Sequence, residues 1–211
     1  MAYAYQHDPA MIYAESFATI QAEANLASVP VAARDMAIRL IHACGMVDVV
    51  DDLRVSDGAI TAGVAALAAG APLLCDAEMV ARGIIARALP TGVAPLVTLN
   101  DSRTPDLAAK LGTTRSAAAV DLWRDHIDGA IVAIGNAPTA LFHLLERIDA
   151  GWPKPAIILG FPVGFVGAAE SKAALAATDL PHATLLGRRG GSAMAAAAVN
   201  ALTLGLKGDG T

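Results

Sequence analysis

The sequence predicts an α/β fold: an open, mainly parallel sheet with helices on both faces, plus N-terminal helices. Three observations carry this. Short apolar runs without polar alternation recur along the chain, as strands buried on both faces require. Helical patterns of about 10–15 residues separate them, the rhythm of βαβ units. Hydrophobic residues make up 55% of the chain and aromatics only 4%, so the core is built from Ala, Val, Leu and Ile, small enough for helices to lie close on a sheet. At 211 residues one core suffices, and 1–211 reads as a single domain with a frayed tail over 207–211.

The elements follow in order. Pro9 suits the first turn of a helix, and Ile12, Phe17, Ile20 and Leu26 form a loose stripe, with Ser16 on it, that runs to Pro30. A second helix starts near Pro30 and ends at Gly45. Val47 to Val55 is rich in β-branched residues and is expected to hold a short strand. Ser56-Asp57-Gly58 offers an N-cap for a helix to about Ala69, and Gly70-Ala71-Pro72 stops it. Strands are expected at 72–75, 94–99, 130–134, 155–159 and 183–186. Helices are expected at 77–88, 105–124 (one or two), 138–150, 170–177 and 192–206. No fixed-period repeat interrupts the series.

Composition excludes several classes of function. A net charge of −5 argues against nucleic-acid binding, which needs a dominant basic surface. Two cysteines, Cys44 and Cys75, without CxxC spacing suggest neither a disulfide framework nor a zinc site, and fit a reducing cytoplasm. Mean hydropathy is high at +0.50, yet charges, Gly or Pro break every apolar run short of the ~20 residues a membrane span needs. The beginning of the chain carries Tyr3, Tyr5, His7 and Asp8 and lacks the pattern of a secretory signal, so a cytoplasmic location without a membrane partner is expected. His126, His143 and His182 have no ligand partner at metal-binding spacing, so no metal is expected. No GxGxxG, P-loop or GxSxG pattern occurs, which disfavours nucleotide cofactors and serine hydrolase chemistry.

The candidate catalytic residue is His42. Wound as a helix, 33–44 gathers Ala33, Met36, Ala37, Leu40, Ile41 and Cys44 on one apolar face and leaves Asp35, Arg39 and His42 roughly opposite. A lone helical His is ordinarily a packed or solvated side chain, and Asp35 with Arg39 could be a simple i, i+4 ion pair. What favours a functional reading is Gly45, which can end the helix with φ > 0 and leave His42 in the last turn, where the helix dipole favours a cation.

Ligands of an open parallel sheet bind at the carboxyl ends of its strands. The loops there are Gly135-Asn136-Ala137-Pro138-Thr139, Gly160 to Gly167, and Gly187-Arg188-Arg189-Gly190-Gly191-Ser192. Each feeds a helix N-terminus, so together they could cradle several anions, with Arg188 and Arg189 suited to carboxylates. Tight βα turns explain any one of them equally well. Asp76, Glu78 and Arg82, and the cluster Thr113-Thr114-Arg115-Ser116, read as solvated surface.

Six segments in this order resemble one known family: Ile12-Tyr13-x-x-Ser16-Phe17-x-x-Ile20, Arg39-x-x-His42-x-x-Gly45-x-x-Asp48, Cys75-Asp76-x-x-Met79-Val80, 135–141, 160–165 and 187–192. The family is the precorrin-8X methylmutases of corrin ring biosynthesis, and the resemblance spans nearly the whole chain. It implies an isomerase that moves a methyl group from C-11 to C-12 of precorrin-8X to give hydrogenobyrinate, without a redox cofactor, as a homodimer with active sites at the subunit interface. It implies that His42 donates and accepts the proton while Ser16 and Arg39 contact substrate. The acetate and propionate arms of such a substrate give Arg115, Arg188 and Arg189 something to bind, and Gly164 and Gly190 would let a flat ring approach the backbone. A cobalt-containing substrate, of the kind related methylmutases use, is the alternative, the metal-free one being expected. Two other classes are distinguishable: a non-catalytic corrinoid carrier, indifferent to loss of His42, and a flavodoxin-like phosphate binder using 187–192, which would bind nucleotides and ignore corrinoids.

Overall fold

A computed structural model of the chain describes residues 3–206, so the tail expected to fray over 207–211 lies outside the described residues. Helix α1 (Pro9–Glu23) starts where the Asp8 carboxylate accepts the N–H groups of Ala10 and Met11. It stops short of Pro30: turns at Leu26–Ser28 and Val31–Ala33 are 3-10, and the residue before proline, Val29, is held extended. Helix α2 (Arg34–Cys44) ends at Gly45, whose φ of 70° lets its N–H return to the Ile41 carbonyl.

The β-branched stretch that follows is mostly not a strand. Val47–Asp52 is a 3-10 turn and only Leu53–Val55 (β1) is extended. The reason is burial: Val49 and Val50 are adjacent and both buried, which a helical turn permits and a half-exposed strand forbids.

From there the expected alternation holds: α3 (Ala59–Ala68), β2 (Leu73–Cys75), α4 (Glu78–Gly83), β3 (Pro95–Val97), α5 (Thr104–Leu111), α6 (Arg115–Asp121), β4 (Ile131–Ile134), α7 (Pro138–Asp149), β5 (Ile157–Gly160), α8 (Ala168–Ala176), β6 (His182–Leu185) and α9 (Ser192–Gly205). The expected 105–124 region is two helices, broken at Gly112 with φ 62°, after which Thr114 caps α6 by accepting the Ala117 N–H.

The six strands of the described residues run in the order β1-β6-β5-β4-β2-β3, all pairs parallel except β1 with β6. Strand order reverses between β2 and β4, the switch point of the sheet. Side chains alternate across it. Leu73, Cys75, Ile131, Ala133, Ile157 and Leu159 pack with residues of α2, α3, α4 and α9. Leu74, Val132, Ile134 and Ile158 pack with Val120, Trp123, Leu141, Leu144 and Leu175 on the other face. The chain is therefore a three-layer sandwich, with α2 and α9 together on one side. No helix among the described residues is long and apolar enough to cross a membrane.

Candidate active site

The α2 face pattern is realised: Met36, Ala37, Leu40 and Ile41 are each 2% exposed or less, and His42 is exposed. Arg39 holds its guanidinium over the Phe17 ring, 5.7 Å from the centroid. Across from it, α1 presents Tyr13, Ser16, Phe17 and Ile20, one i, i+3, i+4, i+7 face. Ser16 Oγ lies 2.9 Å from His42 Nδ1. The Tyr13 and Phe17 rings stand 5.6 and 5.2 Å from the imidazole. A hydroxyl fixes one ring nitrogen, and aromatic edges limit how the ring can turn.

Two clefts meet at His42. One, of about 500 Å³, is lined by Ile12, Glu15, Ser16, Thr19, Glu23 and Val47 among others. The second, of about 280 Å³, is lined by Tyr13, Arg39, Ile85 and the α9 residues Ala193, Ala196 and Asn200. The first carries two carboxylates and the second a guanidinium, so an anionic ligand is drawn to the second.

The remaining candidates are placed differently. Arg115 is exposed at the start of α6, in the layer on the other side of the sheet, and donates to the Leu99 carbonyl (3.0 Å) and Asn100 Oδ1 (3.2 Å). Arg188 is exposed and lies 5.5 Å over the Phe165 ring, itself 86% exposed. Arg189 is committed internally to Asp48 at 2.6 Å and Asp52 at 2.8 Å, and its guanidinium holds the Asp48 carboxyl below its ordinary range. Gly164, at φ 144°, donates to the Arg188 carbonyl and has open space where a side chain would be. Gly190 has none: a Cβ there would stand 2.4 Å from the Phe161 carbonyl oxygen, so its missing side chain is required by the chain's own backbone.

Two buried groups escaped sequence reasoning. Asp76 is not solvated surface; it is 4% exposed and accepts the N–H groups of Gly135, Asn136 and Ala137, each at 2.9 Å. Burial pushes its pKa up, and the three N–H bonds oppose that. Those donors are the ones the 135–139 loop was expected to offer a ligand. The usable signal was position: an acid directly after an apolar strand, at the switch point. Lys172 on α8 is wholly buried and donates its Nζ to the Arg189 carbonyl, its pKa lowered by burial to about 8. His143, without a partner in its local sequence, meets Asp121 Oδ1 at 3.0 Å, an oxygen that also accepts from Arg147. Among the described residues no three His, Cys, Asp or Glu side chains gather as a metal ion would need.

Comparison with known proteins identifies the family. A family model described as precorrin-8X methylmutase matches residues 11–204. A precorrin-8X methylmutase of Pseudomonas aeruginosa is 63% identical over 200 residues, 94% of this chain and 96% of the relative. A cobalt-precorrin-8 methylmutase of Priestia megaterium is 38% identical, over 79% of this chain and 74% of the relative. The crystal structure of a precorrin-8X methylmutase from Thermus thermophilus superposes with a TM-score of 0.84 at 37% identity, covering 92% of this chain and 95% of that one. The chain belongs to the precorrin-8X methylmutase family, isomerases of cobalamin biosynthesis.

Proposed function

We propose that the chain converts metal-free precorrin-8X into hydrogenobyrinate by moving a methyl group from C-11 to C-12, with His42 as general acid and base. The observation that carries this is the 2.9 Å contact of Ser16 Oγ with His42 Nδ1 where two clefts meet. With Nδ1–H held by the hydroxyl oxygen, Nε2 is the nitrogen that exchanges its proton. The imidazolium gives the Nε2 proton to the macrocycle, which places the double bonds for migration. The C-11–methyl bond then breaks as the C-12–methyl bond forms, with no net change in electrons. The product tautomer returns the proton to Nε2, and the Nδ1–H tautomer persists throughout. Imidazole is suited to both directions near neutral pH.

Arg39 takes a carboxylate arm of the substrate at the mouth of the second cleft. Arg115 lies in the far layer, bonded to Leu99 and Asn100 and away from its own chain's His42, and joins a site only where a homodimer brings it to the partner's. Arg188 and Gly164 lie on adjoining exposed loops and serve the same boundary. Arg189 and Gly190 hold the 187–192 loop in shape rather than meeting substrate.

The metal-free substrate is favoured because identity is 63% to the relative named for it and 38% to the one named for the cobalt form. Absorbance time courses with both substrates test the reading: kcat/KM for precorrin-8X exceeding that for cobalt-precorrin-8 by about tenfold or more supports it. The reverse preference makes the chain a cobalt-precorrin-8 methylmutase, and tight binding of both without conversion makes it a carrier.

A further inference from the structure

We infer that Asn200 is a positioning residue of this site, its side-chain amide holding the Gly83–Ile85 segment as the wall of the Arg39 cleft that faces the macrocycle. The inference rests on the tetrapyrrole reading of the site.

From Met194 to Thr203, α9 is buried throughout, half of it alanine. An amide in that run is destabilising wherever one of its polar halves is left unpaired. Neither half is unpaired. Asn200 Oδ1 accepts the Ile85 N–H at 2.8 Å and Nδ2 donates to the Gly83 carbonyl at 3.1 Å. Only one orientation of the amide satisfies both groups, so the side chain cannot flip without losing two bonds. One helical turn earlier, Ala196 presses on the same segment: a Cβ added at Gly83 would stand 2.7 Å from the Ala196 Cβ. The chain leaving α4 is therefore fixed on α9 by contact at Ala196 and by hydrogen bonds at Asn200.

The packing of α4 does not itself require the amide. Val80 and Ile84 are buried, at 0% and 6% exposure, and anchor the helix and its exit. What the amide adds is the placement of the backbone at Gly83 and Ile85. Ile85 is 37% exposed and lines the cleft together with Tyr13, Arg39 and His42, beside Ala193, Ala196 and Ala197. Small α9 side chains form an apolar floor, Arg39 supplies charge for a carboxylate arm, and Ile85 limits the width. A residue acting this way alters substrate binding more than the proton transfer at His42.

Two substitutions test this in steady-state turnover of precorrin-8X and in absorbance titrations with hydrogenobyrinate. Asn200→Leu, similar in size, removes both hydrogen bonds and is expected to raise KM about tenfold with kcat within about twofold. Ile85→Glu, at an exposed position, sets a carboxylate on the wall against a polycarboxylate ring and is expected to raise KM at least about tenfold. If Asn200→Leu fails to fold, Asn200→Asp, which keeps an acceptor for the Ile85 N–H and loses the donor to the Gly83 carbonyl, decides the role of Asn200 by the same reading of KM against kcat. A wild-type KM in folded Asn200→Leu, or a fall in kcat alone, overturns the role of Asn200; a wild-type KM in Ile85→Glu overturns the wall it is said to hold. In both cases the tetrapyrrole reading survives if the unmodified protein still turns over, whereas an unmodified protein that neither binds nor converts the tetrapyrrole overturns both.

Discussion

At the carboxyl ends of β2 and β4, where an open parallel sheet ordinarily receives its ligand, this chain seals the crevice with its own Asp76 carboxylate on three backbone N–H groups. At the junction of α1 and α2 it does the opposite, leaving His42 exposed between two clefts with only a neutral hydroxyl on Nδ1. The first region uses the anion affinity of a helix N-terminus to lock the architecture. The second keeps a titratable ring with one nitrogen held and leaves room beside it. The space for a ligand therefore lies on the helical surface at His42, in clefts of about 500 and 280 Å³.

The contrast can be broken at either end. Asp76→Ala leaves one buried and two part-buried N–H groups without their acceptor, at roughly 1–3 kcal/mol for the buried one and less for the others, so a loss on the order of 2 kcal/mol is expected in urea unfolding. Molecules that remain folded should keep kcat within a few-fold, and an unchanged urea midpoint would show that the crevice is not sealed by this carboxylate. Lys172 probes the other internal lock. Its folded pKa is about 8 against an ordinary 10.5, so between those values the unfolded chain holds more protons and stability rises as pH climbs. Compared with Lys172→Met, the wild type should gain on the order of 2 kcal/mol between pH 7.5 and 10, measured by urea unfolding at each pH. Parallel curves for the two proteins would remove the buried charge from the account.

Smaller effects sharpen the comparison. Ser16→Ala frees His42 Nδ1 and is expected to lower kcat about tenfold with KM little changed. A raised KM with kcat intact would instead make Ser16 a substrate contact, the role implied by the family resemblance. The smallest effect belongs to His143, whose Nε2 is tied to Asp121 beside Arg147 on the far layer: His143→Ala should leave kcat within about twofold and cost about 1 kcal/mol in stability. A large loss of kcat there would bring the far layer into the chemistry.

How much of this was legible in the sequence follows from the range of each interaction. Apolar strands, the α2 face and the Gly45 cap are local patterns, and they read correctly because burial and backbone geometry act on neighbouring residues. Val47 to Val55 holds the short strand its β-branched content suggested, but only at its end, because two adjacent buried valines fold Val47–Asp52 as a 3-10 turn. The site depended on longer range. His42 and Arg39 share one helix and could be proposed together, but Ser16 meets His42 across 26 positions and Asp76 meets its donors across 59 to 61. Arg189 looked suited to substrate carboxylates on chemistry alone; its partners, Asp48 and Asp52, stand 141 and 137 positions away and only the fold brings them near.

The most direct measurement is the conversion of precorrin-8X by His42→Ala beside wild type, with hydrogenobyrinate binding measured on the same samples. The account predicts kcat lower by about 10²–10⁴ in the variant while the product still binds with an affinity within a few-fold of wild type. Turnover by His42→Ala at a rate near that of wild type would contradict it, and would place the proton transfer on another group.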